Sequence, residues 1–175
     1  MARLMDNLHF RLMAFVFRLR DLFCSPRETL TEVGIRAGDV VLDYGCGMGS
    51  HVLAAAELAR EAGKVYAADV HPLAVRAVAR AAAKKGLRNV DTICTDCATG
   101  LDNESVDVVL LYDVLHDLAD FEPVLEELHR VLRCGGAVSV SDHHMKEEDI
   151  IAKIASTGLF RLCEHGEKTC KFLRQ

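Results

Sequence analysis

The sequence predicts an α/β fold: an open, mostly parallel sheet covered by helices on both faces. Three observations predict it. Short apolar runs alternate with helix-like stretches over residues 40–157. Runs such as VVLLY at 108–112 lack polar alternation, as strands buried on both faces do. Strands joined through helices form right-handed βαβ units, which sets a parallel sheet. The 175 residues suit one domain and can bury a full core.

Each element follows from local signals. Residues 7–23 read as a helix that is apolar over most of its surface, with Arg11 and Arg18 on one face. Such a helix must cover something: its own domain, a pocket, a partner or a lipid surface. Its apolar core, LMAFVF at 12–17, is too short for a signal peptide or a membrane span. Ser25, Pro26 and Glu28 read as a capping box that opens a second helix, which stops at Gly34. The strand VVLDY (40–44) comes next, then an alanine-rich helix over 50–62 with Gly63 as its cap. KVYAAD (64–69) is a strand, and 72–85 a helix with proline at its start and Gly86 at its end. Strands follow at 90–96 and 106–113, a helix at 121–133, a strand at 137–142 and a helix at 145–157. LFRLCEH (159–165) and KTCKFL (168–173) flank a turn at Gly166 and form a hairpin that puts an antiparallel strand at the sheet edge.

Composition narrows the function classes. The net charge of −5 argues against a basic nucleic-acid surface, and the absence of tryptophan argues against base stacking. Seven cysteines, an odd number and mostly within apolar runs, predict reduced and buried thiols rather than a disulfide framework. Cys94 and Cys97 form a lone C-x-x-C, read as packing rather than a zinc or redox pair. The expectation is a soluble, cytoplasmic chain.

LDYGCGMGS (42–50) joins the first strand of the sheet to the following helix. Gly45, Gly47 and Gly49 there predict a backbone that comes close to a small ligand beyond the strand ends. A dinucleotide would call for G-x-G-x-x-G, but the third glycine comes one residue early and Ser50 holds the sixth position. Asp43 would also repel a pyrophosphate, whereas a ligand with an ammonium or sulfonium group would be attracted. Asp69 and Asp96 end the next two strands; Asp69 suits ribose hydroxyls and Asp96 an adenine amino group.

VLDYGCGMGS, AADV, TDC, VDVVLLYDVLHDL and HRVLRCGGAVSVSD, in this order, resemble a class I S-adenosylmethionine-dependent methyltransferase, in the subgroup of the ubiquinone/menaquinone biosynthesis (methyltransferase type 11-like) enzymes. The match spans roughly residues 38–142. It departs from the pattern at Cys134, where proline often precedes the glycine pair. The resemblance implies a Rossmann-like, doubly wound, three-layer fold with seven strands in the order 3-2-1-4-5-7-6, strand 7 antiparallel. It implies S-adenosyl-L-methionine as cofactor and S-adenosyl-L-homocysteine as product. Asp43, Tyr44 and the glycine loop would hold the methionine part, Asp69 and Val70 the ribose, and Asp96 with the Cys97 backbone the adenine. Tyr112 and Asp113 would lie by the methionine amine and the transferred methyl. Residues 1–34 would be a helical lid or cover, and 38–175 the cofactor-binding core.

Methyl transfer is an in-line displacement that needs alignment, exclusion of water and sometimes a base. Just past strands four and five the sequence offers His116 and Asp117, then Asp142, His143 and His144. Histidine is the natural base near neutral pH, so His116, His143 and His144 are the candidate catalytic residues. On an extended segment His143 and His144 would point opposite ways. His and Asp also suit zinc or iron, but their spacing matches no chelating pattern and no metal is expected. The expected partner is a small-molecule acceptor, with no room in the chain for an inserted recognition region and a homodimer left open as its cover. The competing reading is a non-catalytic S-adenosylmethionine-binding partner subunit or sensor.

Overall fold

The computed structural model describes residues 25–118 and 120–175. The expected helix at 7–23, and with it most of the proposed lid, lies outside the described residues. The strands are β1 (Val40–Tyr44), β2 (Lys64–Asp69), β3 (Val90–Cys94), β4 (Val106–Tyr112), β5 (Leu132–Ser141), β6 (Phe160–His165) and β7 (Cys170–Arg174). The helices are α1 (Pro26–Val33), α2 (Ser50–Ala59), α3 (Pro72–Lys85), α4 (Glu122–Val131) and α5 (Glu147–Ala155).

The seven strands form one sheet in the order β3-β2-β1-β4-β5-β7-β6, as expected. β7 runs antiparallel to both β5 and β6. The antiparallel strand is therefore one position in from the edge, and the edge itself is β6. Both faces are buried. Leu42, Leu111, Val138 and Phe172 pack with Leu125 and Leu128 of α4 and Ile150 and Ile154 of α5. Val41, Val65, Ala67 and Leu110 pack with Leu30 of α1, Ala55 of α2 and Val78 of α3 on the other face. Neighbours in sequence, such as Val41 and Leu42, thus enter different cores, which is why the strands carry no polar alternation. Strand order reverses between β1 and β4, so their carboxyl ends flank the crevice where ligands of open α/β sheets bind.

Several local expectations are corrected. Ser25 precedes α1 but makes no side-chain cap. Glu28 instead pairs with Lys168 at 2.8 Å, a contact made across the fold. The α2 helix ends three residues early, where Arg60 takes a left-handed φ of 60°. Gly63 is not its cap; a Cβ there would meet Asp39 O at 2.5 Å, so close packing requires glycine. β3 stops at Cys94, leaving Asp96 in the following loop. β5 begins at Leu132, and its register with β4 jumps from Val106↔Leu132 to Val108↔Ala137, which throws the cysteine–glycine–glycine turn out as a bulge.

The described cysteines are all free, and only Cys46 and Cys170 are buried. Cys94 lies on edge strand β3, Cys134 in the bulge and Cys163 on edge strand β6, positions that apolar neighbours in sequence do not reveal. Among the described residues no helix is long and apolar enough to cross a membrane.

Candidate cofactor and acceptor site

The loop after β1 is folded by its glycines. Gly45, Gly47 and Gly49 have φ of 80°, 50° and 82°, a region costly for other residues. The Gly45 and Cys46 N–H groups donate to Ala68 O at 2.8 and 3.0 Å, pinning the loop to the end of β2. A Cβ at Gly45 would lie 2.1 Å from Val114, and one at Gly49 2.7 Å from Val78. These two glycines serve close packing. At Gly47 a Cβ would meet nothing within 4 Å among the described residues, which leave an open face there.

Two carboxylates, Asp43 and Asp69, stand beside this loop in different environments, and Asp96 lies in the loop past β3. Asp43, next to last in β1, is buried, and its Oδ2 has no hydrogen-bond partner among the described residues. Burial, reinforced by the negative charge of Asp69, pushes its carboxyl up to about 7. Asp69 ends β2; its two oxygens accept N–H from Gly47 at 2.9 Å and from His71 at 2.7 Å. Burial raises its pKa while those two donors hold it down. Each oxygen keeps a further lone pair for a ligand hydroxyl. Asp96 lies beyond β3, and its carbonyl accepts the Tyr44 hydroxyl at 3.1 Å.

The remaining predicted residues are placed less directly. The Cys97 N–H donates to Thr95 Oγ1 at 3.2 Å. The loop beyond it is tied down by Glu127, whose Oε1 accepts from Thr99 N and Oγ1 at 2.7 and 2.6 Å while Arg130 clamps the same carboxylate. Val70 follows Asp69, and its carbonyl faces the Cys94 thiol. Tyr44 and Tyr112 are buried, and burial raises both hydroxyls. Tyr112 turns its hydroxyl to Ser139 at 2.8 Å and takes the His51 ring edge-on at 4.8 Å.

The three histidines come together in one row. His116 Nδ1 lies 2.8 Å from Asp142 Oδ2, and the carboxylate of Asp142 is fully buried. His143 accepts the same arrangement from Asp113, its Nδ1 and its N–H both meeting Asp113 Oδ1. The His116 and His144 rings are 4.3 Å apart, and the His143 and His144 rings 4.0 Å apart. The opposite-pointing geometry expected for His143 and His144 is therefore corrected. Residues 142–145 form a turn, closed by Met145 N–H to Asp142 O at 3.2 Å, not an extended segment. Asp113 helps by adopting a left-handed φ of 54°, which swings the chain away after β4. The sequence does not disclose the pairing of Asp142 with His116, because the acid lies 26 residues away, in the turn just past β5.

The arrangement fits a cationic, nucleoside-bearing cofactor. A buried carboxylate with an orphaned oxygen calls for a positive group or donor. The open face at Gly47 admits a ligand backbone, and Asp69 retains acceptors for a diol. All three features sit at the carboxyl ends of adjacent strands.

The family model described as a methyltransferase domain matches residues 35–171. Over 129 residues the chain is 30% identical to a ubiquinone/menaquinone biosynthesis C-methyltransferase of Hydrogenovibrio crunogenus, covering 73% of this chain and 51% of that protein. It is 27% identical to a demethylmenaquinone methyltransferase of Geobacillus stearothermophilus, covering 77% and 58%. The chain thus spans little more than half the length of these relatives. An S-adenosylmethionine-dependent methyltransferase structure from Aquifex aeolicus shares its fold, with a TM-score of 0.81, 24% identity and 98% of each chain covered. The chain belongs to the methyltransferase domain family.

Proposed function

We propose that the protein transfers a methyl group from S-adenosylmethionine to a small molecule bearing an acidic hydroxyl on a ring, a quinone of the class that its relatives' names carry, taken in its reduced form. The observation that carries the cofactor half is the buried Asp43 Oδ2, without a partner among the described residues, beside a glycine loop they leave open. When bound, the cofactor supplies an electrophilic methyl on a sulfonium. Asp43 answers the positive charge of its methionine part. Asp69 accepts from the ribose hydroxyls, held in place by the N–H groups of Gly47 and His71. Tyr44 and Glu127 brace the loops that carry Asp96 and Cys97 on the adenine side.

On the acceptor side His116 is the base. The Asp142 carboxylate can only accept, so Nδ1 carries the hydrogen and Nε2 keeps its lone pair. Nε2 takes the proton of the acceptor hydroxyl, and Asp142 and Asp117 stabilise the imidazolium from either end, at 2.8 and 3.4 Å. The acceptor ring so deprotonated would attack the methyl in line; the methyl–sulfur bond would break to leave S-adenosylhomocysteine, and the proton on the attacking carbon would leave as the ring regains aromaticity. His143, oriented by Asp113, and His144 complete one wall.

The test is transfer of a labelled methyl from S-adenosylmethionine to reduced naphthoquinone and benzoquinone acceptors, run beside a whole-cell small-molecule extract. Labelled product in the quinol arm supports the full proposal. Label only in the extract retains methyl transfer and rejects the quinol class. Cofactor binding without label in either arm favours a binding subunit or sensor.

A further inference from the structure

A second cluster of chemistry-bearing side chains lies on the same rim, outside the site described above. The donor atoms of Glu147, His165 and Cys170 all lie within 4.8 Å of one another. They come from three elements: the first turn of α5, the last residue of β6 and the first residue of β7. His165 and Cys170 are direct partners across the β6–β7 ladder, so their side chains share a face. Glu147 closes on them from α5, with Oε1 2.9 Å from His165 Nδ1. The hairpin that presents them is held firmly. Gly166 N–H donates to Thr169 O at 2.8 Å, and Glu32 on α1 accepts from the Lys168 and Thr169 N–H groups at 3.1 and 3.0 Å.

We propose that Glu147, His165 and Cys170 form a site for a zinc-class divalent cation. Thiolate, imidazole and carboxylate together are the donor set of zinc, and three protein ligands leave a fourth position for water or an outside ligand. Zinc bonds of ~2.0–2.3 Å put tetrahedral ligands about 3.5 Å apart, so side-chain rotations of about 1 Å close the cluster. Half-exposed Glu147 and His165 leave the ion a way in, while the sulfur end is buried. Binding displaces the thiol proton. The imidazole proton moves from Nδ1 to Nε2, so one proton is released per ion. Cys170 pairs with Val140, two residues before Asp142, and Glu147 follows His144 by three. An ion here would therefore fasten the turn that carries His143 and His144 to the hairpin.

The experiment is calorimetric titration of chelator-treated protein with Zn2+, without S-adenosylmethionine, in two buffers of different ionisation enthalpy. Co2+ substitution is followed by absorption. The expected result is one ion per chain, about one proton released, and a thiolate-to-cobalt charge-transfer band. His165→Ala and Glu147→Gln, both at exposed positions, should each weaken binding at least about tenfold, because even outer partners of a metal site are worth that much. Cys170→Ser should abolish the band. Cys163→Ser, and Cys94→Ser with Cys97→Ser, should leave affinity and band unchanged. Absence of binding would overturn the site, as would binding indifferent to His165→Ala and Glu147→Gln or lost on removing Cys94 and Cys97. None of these readouts depends on methyl transfer.

Discussion

His116 is tied twice to one buried oxygen: its imidazole Nδ1 and its backbone N–H both reach Asp142 Oδ2, at 2.8 and 3.0 Å. The other carboxylate oxygen accepts His144 N–H at 3.0 Å. Asparagine at 142 has one accepting end only and would set N–H against N–H at the other. Asp142→Asn should therefore slow methyl transfer by ~10²–10⁴, the worth of a positioned base. Affinity for S-adenosylhomocysteine should stay unchanged. Nitrogen NMR of the imidazole should show the Nδ1–H tautomer depleted in the variant. Unchanged turnover would remove His116 as the base.

The buried carboxyl of Asp43, whose Oδ2 has no partner among the described residues, gives a pH signature of stability. Its folded pKa of about 7 lies above the ordinary carboxylate value of 3.8. The folded state then binds more protons than the unfolded state between those values, so this group's contribution falls as pH rises through the window. The full swing is on the order of 4 kcal/mol for a group buried this completely. Without cofactor, Asp43→Asn should be more stable than the native chain at pH 8, the gap closing toward pH 5. Urea unfolding at the two pH values checks this. A gap that widens at low pH would contradict it.

Two neighbouring glycines should separate folding from binding. Gly45→Ala places a methyl 2.1 Å from Val114 and should destabilise the chain by several kcal/mol or prevent folding. Gly47→Ala meets no atom within 4 Å among the described residues and should cost only the left-handed backbone, ~1–2 kcal/mol. It should nonetheless abolish cofactor binding if the cofactor lies against that face. Thermal melts beside S-adenosylhomocysteine titrations distinguish the two effects.

Glu127 shows the opposite pH behaviour to Asp43. Burial alone would raise its carboxyl, but hydrogen bonds from Arg130 and Thr99 outweigh that and hold it at about 2. Its stabilisation is present above the ordinary carboxylate pKa and is lost as pH falls through about 2. Glu127→Ala should destabilise by ~1–3 kcal/mol, the cost of orphaned partners. It should also raise hydrogen exchange in the loop holding Asp96 and Thr99 relative to β4.

What the sequence disclosed follows the range of the interactions that decide each feature. The bounds of β1, β2 and α3 are legible because apolar runs, Pro72 and Gly86 are local signals. The Ser25–Glu28 box is not, because Lys168 takes Glu28 from the far end of the chain. Asp43 and Asp69 could be placed beside the glycine loop because strand ends fix them. The Asp142–His116 and Asp113–His143 pairs could not, since each joins the segment past β4 to the turn past β5. The cluster of Glu147, His165 and Cys170 was invisible for the same reason, its register being set by the hairpin.

The central claim is that Asp43, Asp69 and the open face at Gly47 hold S-adenosylmethionine, and calorimetric titration with S-adenosylhomocysteine tests it most directly. The expected result is one molecule bound per chain, with affinity reduced by more than ~1 kcal/mol in Asp69→Ala, as for lost charge-assisted hydrogen bonds. Absence of binding to the folded protein, or equal affinity in Asp69→Ala and the native chain, would contradict it.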